Sequence, residues 1–372
     1  MKKLTMSLAV ASILGSTVYA SSIEDAFAKG KVTGELSVYT TSTNLKTGTD
    51  TGYSLGAISL GYETASVDGF KASVGFMGTT ELSDKNGGFA NSKPANGNAA
   101  KSIMNIANVS YASDKYTVIA GKQAIDLEWI EDYHEAVVGV VTAIPNATII
   151  VGHTERKTAS ANDASLAEFY KIGTKGASVI DATYSINETT KVNGYYMDAP
   201  EVFSAIGGKV STEVSGLGII GKYAQSSEDA VSTANGKIMA LDLTYKVGEI
   251  GLNGGYIKTG KDNGIGSLST LGDKISPADS GLAVYKADAK TMYVGASTNV
   301  AGFDLGAIYA KTKVAAGDEK ELNLSVGKEI AKNFKAKALY ANISSDLSTT
   351  NTDSTITYHD RSYYFAQLVY SF

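Results

Sequence analysis

From residue 31 onward the chain alternates. In residues 31–40, Val32, Gly34, Leu36 and Val38 share one face of an extended strand, while Lys31, Thr33, Glu35 and Ser37 share the other. That period of two marks a strand with two unlike faces rather than a helix. Phe70, Ala72, Val74 and Phe76 alternate with Lys71, Ser73, Gly75 and Met77. Met239, Leu241, Leu243 and Tyr245 alternate with Ala240, Asp242 and Thr244, and Phe334, Ala336, Ala338 and Tyr340 with Lys335, Lys337, Leu339 and Ala341. The second face is small or polar almost every time. Counting such stretches gives eighteen, starting near positions 31, 52, 70, 102, 116, 136, 147, 177, 191, 202, 218, 237, 250, 290, 303, 320, 334 and 360; sixteen is the alternative count.

The connections also alternate. Short turn-like links (66–69, 113–115, 145–146, 187–190, 215–217, 247–249, 300–302, 332–333) take turns with longer ones (83–101, 123–135, 158–167, 260–289, 346–359). An even number of antiparallel strands with short turns at one end and long loops at the other is the plan of an outer-membrane β-barrel. The most continuous apolar run, residues 136–152, does not cross as a helix, because Pro145 and Asn146 interrupt it and β-branched Val and Ile flank the break. It reads as a hairpin. With no spanning helix, the one membrane structure that satisfies every backbone group in hydrocarbon is a closed barrel.

Both chain ends support export and membrane insertion. Lys2 and Lys3, the apolar residues 4–13 and the small-residue site before Ala20 form a secretory signal, residues 1–20. Residues 21–30 follow as a periplasmic lead-in and 31–372 as the barrel. Cleavage after Ala20 takes the formal charge from −5 to −7 by removing the two lysines. The last strand carries Tyr364, Leu368, Tyr370 and Phe372 on one face, and a terminal aromatic there reads as a signal to the outer-membrane assembly machinery. The 22 tyrosines against 10 phenylalanines and 1 tryptophan suit rims at the lipid–water interface.

The signal, a helical lead-in over 23–29, the opening Gly30-Lys31-Val32-Thr33-Gly34-Glu35-Leu36 and Gly121-Lys122-Gln123 together resemble the OprD-like (Opr) outer-membrane porins. The resemblance implies an eighteen-stranded barrel, a third extracellular loop folded inward, and passage of small solutes. Substrate-specific members carry an arginine ladder along the pore wall, whereas this chain has only Arg156 and Arg361. A general channel is therefore the expectation, with a secreted β-rich adhesin lacking channel activity as the alternative.

A barrel of sixteen to eighteen strands is too wide for side chains to fill and holds water, so charge at the narrowest section sets its behaviour. The third long connection, 122–135, holds Asp126, Glu128, Glu131, Asp132 and Glu135 against Lys122 alone. Folded inward, it makes an acidic constriction with a weak cation preference, and Trp129, between Glu128 and Ile130, packs it against the wall. Alternation assigns Glu35, Glu63, Asp242 and Asp304, with Lys71, Lys209, Lys335, Lys337 and Arg361, to the inner wall.

Composition removes other functions. Without cysteine there is no disulfide framework and no thiolate chemistry. The acidic balance gives no footing for nucleic acid. Three histidines lack metal-ligand spacing, and His153 beside Thr154 is the one wall position where a hydrolase base has a place. Asp262, Asp273 and Asp279 do not space as a calcium loop. The expectation is no enzyme and no cofactor. The expected partners are outer-membrane lipid and lipopolysaccharide, the assembly machinery and small hydrophilic solutes, with the chain a monomer or homotrimer.

Overall fold

The computed structural model describes residues 18–231, 233–281, 283–347 and 360–372. Most of the proposed signal segment and His359 lie outside them. A short helix, α1 (Ile23–Ala28), precedes the sheet; Ser22 caps it by accepting from the Asp25 N–H at 3.1 Å.

Eighteen antiparallel strands then form one ring. They are β1 (Lys31–Leu45), β2 (Thr51–Glu63), β3 (Phe70–Lys85), β4 (Ser102–Ala112), β5 (Tyr116–Asp126), β6 (Glu131–Val141), β7 (Ala147–Thr158), β8 (Ala177–Ser185) and β9 (Lys191–Ala199). The second half comprises β10 (Phe203–Val214), β11 (Leu217–Glu228), β12 (Lys237–Val247), β13 (Ile250–Thr259), β14 (Lys290–Val300), β15 (Phe303–Val314), β16 (Gly317–Ala331), β17 (Phe334–Ser345) and β18 (Arg361–Ser371). The sixth strand begins at Glu131 instead of near 136; the other starts match the alternation to within three residues. Each strand pairs with its neighbours in sequence, and the ladder joining Glu35–Leu45 to Arg361–Ser371 closes the ring, so no edge is left unpaired.

The two faces differ as alternation requires. On β1, Leu36 and Val38 are each 47% exposed, whereas Ser37 and Tyr39 are 6% and 4% exposed. The same outward row continues through Ile58 and Leu60, Leu241 and Leu243, Leu322 and Leu324, and Leu368 and Tyr370. Only hydrocarbon makes so large an apolar girdle stable, so the ring is a transmembrane barrel. Among the described residues no helix is long and apolar enough to cross a membrane.

Tight turns sit at the end that holds both sheet termini. Ser215-Gly216 and Ala301-Gly302 have positive φ at both residues, the two-residue hairpin geometry that matches strand twist. The opposite end carries the long connections 86–101, 159–176 and 260–289, the first including the single-turn helix α2 (Gly88–Asn91).

Candidate constriction site

The third long connection is not a loop. Only residues 127–130 join β5 to β6; Lys122 and Asp126 belong to β5, and Glu131, Asp132 and Glu135 to β6. The ladder between β4 and β5 stops at Ala107 and Lys122, but that between β5 and β6 continues to Asp126 and Glu131. Beyond Lys122, β5 therefore parts from β4 but stays on β6, which remains paired with β7 as far as Tyr133 and Thr158, so the β4–β5 seam opens and the β5–β6 tip is carried inward. Gly121 has φ +124°, and a Cβ there would stand 2.2 Å from the Ala107 carbonyl oxygen, so the bend requires glycine. Alternation was obscured here because both faces of the hairpin are covered. Gln123, Ile125 and His134 are buried, while on the reverse face the Lys122 ammonium lies 4.1 Å from the Phe169 ring centroid.

The hairpin tip reaches strands three to five places further round the ring. Glu128 is paired with Lys209 on β10 at 2.8 Å and with Lys222 on β11 at 3.0 Å, and Lys222 also faces Asp242 at 3.7 Å. Burial alone pushes the Glu128 carboxyl up, but Lys222 and Lys209 outweigh it and hold the group below its ordinary value. The indole N–H of Trp129 donates to the Tyr195 hydroxyl on β9 at 2.7 Å, and the side chain is 2% exposed. Trp129 and Ile130 belong to one apolar cluster with Met197, Phe203, Ile238 and Ile257 of the wall and with Leu268, Leu271 and Ile275 of the 260–289 connection.

Every carboxylate of the hairpin meets a cation. Asp126 and Glu131 share Lys274, Asp132 faces Lys157 at 3.5 Å, and Glu135 faces Lys122 at 3.3 Å and Arg156 at 3.6 Å. The carboxylates expected to make an acidic constriction thus form a set of contact pairs.

Two further connections enter the ring. The 260–289 segment receives hydrogen bonds at the Leu271 carbonyl from the Glu131 N–H (3.0 Å) and the Lys157 ammonium (2.8 Å). On β16, Glu321 accepts the Asp279 and Ser280 N–H groups at 3.1 and 2.9 Å, and Glu319 accepts that of Ala283 at 2.9 Å. Arg361 donates to the Ser280 carbonyl at 2.6 Å. The 159–176 segment reaches β1 and β2, where Asn162 donates to Glu35 at 2.8 Å and Tyr53 to the Asp163 carbonyl at 2.7 Å. Apolar residues of the 260–289 connection, Leu268, Leu271 and Ile275, thus pack on the inner wall beside β8–β13, which no wall periodicity reveals.

The remaining residues assigned to the wall share the inward parity of their strands. Glu63 pairs with Lys71 at 2.9 Å, Asp304 accepts from Asn299 at 2.8 Å, and Lys337 lies 5.8 Å from the centroid of the Phe365 ring; Lys335 occupies the alternate position before it. Tyr364, Leu368 and Tyr370 face outward, 43–44% exposed. Phe372 exchanges backbone hydrogen bonds with Gly34 at 2.8 and 2.9 Å, and its ring covers that glycine so closely that a Cβ has no room.

Sequence reasoning missed Lys157, Lys222, Lys274 and Tyr195. Lys222 was legible, since it lies two residues before buried Ala224 on β11. Lys157 was hidden by the irregular pairing beside Glu135 and Ala136, and Lys274 by the absence of any period in its connection.

Among the described residues, His134 and His153 form no catalytic set. His153 Nδ1 lies 3.0 Å from Ser178 Oγ on the exposed face, and His134 is buried between the Thr154 hydroxyl and the Glu131 carbonyl. Among the described residues no carboxylate hydrogen-bonds either ring, the contact that orients a histidine base.

The sequence matches no protein-family profile and no curated protein. Solved structures match closely in fold. OccAB1 of Acinetobacter baumannii has a TM-score of 0.79 at 13% identity, covering 96% of this chain and 99% of its own. OccAB4 of the same organism has a TM-score of 0.77 at 13% identity, with coverages of 92% and 98%. Pseudomonas aeruginosa OccK3 (OpdO) has a TM-score of 0.74 at 12% identity, with coverages of 94% and 97%. These Occ and Opd proteins are OprD-like outer-membrane channels, and the chain has their fold.

Proposed function

We propose that the protein is an outer-membrane porin of a Gram-negative bacterium, a passive channel for ions and small hydrophilic solutes with a weak cation preference. One observation carries this reading: a closed ring, apolar outside and charged inside, is narrowed by a hairpin whose tip is tied to the inner face of β9, β10 and β11. A soluble adhesin has no use for the lipid-facing girdle. In this reading residues 1–20 direct export, 21–30 lie in the periplasm, and the outward face of the last strand is read by the assembly machinery.

The constriction consists of Lys122, Asp126, Glu128, Trp129, Glu131, Asp132 and Glu135. Its wall carries Glu35, Glu63, Lys71, Lys209, Asp242, Asp304, Lys335, Lys337 and Arg361. The formal charge of −7 left once residues 1–20 are removed favours cations over anions near the protein. The preference stays weak because each hairpin carboxylate already has a cationic neighbour within 4.0 Å. No ladder of arginines recommends an anionic substrate. Planar-bilayer recording of the purified protein tests both parts. Ohmic steps with a small cation-selective reversal potential in a salt gradient are expected; absence of steps overturns the channel, and anion selectivity overturns the assigned preference.

A further inference from the structure

The outer face of the barrel is not uniform. Where β17, β18, β1, β2 and β3 lie side by side, Gly56 and Gly78 occupy neighbouring outward positions, paired with Val38 and Thr80 in one case and with Ile58 in the other. Their missing side chains leave a groove of about 690 Å³. Leu36, Val38, Ile58 and Leu368 form its sides, Phe334 and Tyr370 lie at the end nearer the short turns, and Lys101 lies at the end nearer the long connections. The lining is thus apolar along its length and cationic only at the extracellular end. Lys101 makes no ion pair among the described residues.

We propose that this groove binds an anionic acylated lipid of the outer leaflet, the lipid A part of lipopolysaccharide, with acyl chains over Gly56 and Gly78 and a phosphate at Lys101. The inference rests on the outer-membrane reading. Charge complementarity selects this occupant: a second copy of the chain would present mostly apolar surface to Lys101 and leave its ammonium unpaired in hydrocarbon, whereas an amphiphile brings its anion to the same level as the lysine.

The site can be altered without disturbing the ring. A Cβ on Gly56 meets only ordinary contacts at 3.6 and 4.0 Å, and one on Gly78 meets Ile58 at 3.4 Å, with no positive φ at either position. Gly56→Leu with Gly78→Leu fills the groove, and Lys101→Glu reverses its charge while leaving its shape. Delipidated protein in detergent is titrated with lipid A and, separately, with phosphatidylethanolamine, and bound lipid is counted by native mass spectrometry.

The wild type is expected to retain lipid A, with Lys101→Glu reducing retention about tenfold, the leucine pair abolishing it, and conductance unchanged in all three. Equal retention by the variants, or equal binding of phosphatidylethanolamine, overturns the proposal. So does a stable oligomer that the leucine pair converts to monomer, since the occupant is then a second copy. Lipid A retention by a protein that gives no conductance sinks the porin reading and leaves the groove standing.

Discussion

The single tryptophan of this chain reports on the constriction, and Glu128 is the group whose removal should move it. Trp129 is docked beside a carboxylate that is paired with two lysines at 2.8 and 3.0 Å. Removing one partner of a buried ion pair costs about 3–5 kcal/mol, because the remaining charge is left desolvated. Lys209 is partly exposed, with 34% of its side chain accessible, and water screens it. The loss for Glu128→Gln is therefore scaled down to about 2 kcal/mol. That shifts the docked-to-undocked equilibrium of the tip by about 30-fold. The assay is Trp129 emission and acrylamide quenching during a urea titration in detergent, at concentrations where the barrel remains folded. Glu128→Gln should expose the indole at lower urea than wild type. Adding Lys209→Met and Lys222→Met should recover part of the loss, since both lysines that Glu128 leaves behind are removed and only Asp242 loses its cation. A Glu128→Gln transition superimposable on wild type, or no recovery in the triple variant, would refute the reasoning.

Four other outcomes follow from the same geometry. The Glu128 carboxyl is held below its ordinary value, so its tether is complete above the usual glutamate range near 4.3 and is lost as pH falls through the lowered value. Trp129 quenching should accordingly stay flat from pH 8 to 5 and rise only below about pH 4; a transition near neutrality would contradict the assignment. Glu319→Gln with Glu321→Gln weakens three charge-assisted bonds to the 260–289 segment, each worth about 1.5–3 kcal/mol, and should raise single-channel conductance and open-channel noise. Gly121→Val forces a β-branched residue to φ +124° against the Ala107 carbonyl and should lower the yield of heat-modifiable barrel, at a cost of a few kcal/mol. Deleting Phe372 uncovers Gly34 and removes two seam hydrogen bonds, so the heat-shifted gel band should weaken, with the unfolded fraction rising in step.

The ring itself was plain in the amino-acid order because each wall strand has one face in lipid and the other toward the lumen. Leu36 and Val38 against Ser37 and Tyr39 show the contrast in burial directly. The rule failed where that environment ended. At Lys122 the strand leaves the wall, both its faces become covered, and a continued strand looks like a polar loop. The carboxylates were visible by composition, but their partners were not: Lys209 and Lys222 reach Glu128 from strands distant in sequence, and Lys274 reaches Asp126 from a segment with no period. Charge counting along one stretch saw an acidic patch where the fold makes pairs.

The hairpin that narrows the lumen is a strut. Its two arms share an unbroken ladder from the wall to Asp126 and Glu131, and its far end is pinned to β9, β10 and β11. A beam clamped at both ends bends little, so the aperture has a fixed calibre and a solute must conform to it. Diversification of such a sieve then needs no new backbone: exchanging the few side chains along the beam changes the mesh while the frame stays as it was.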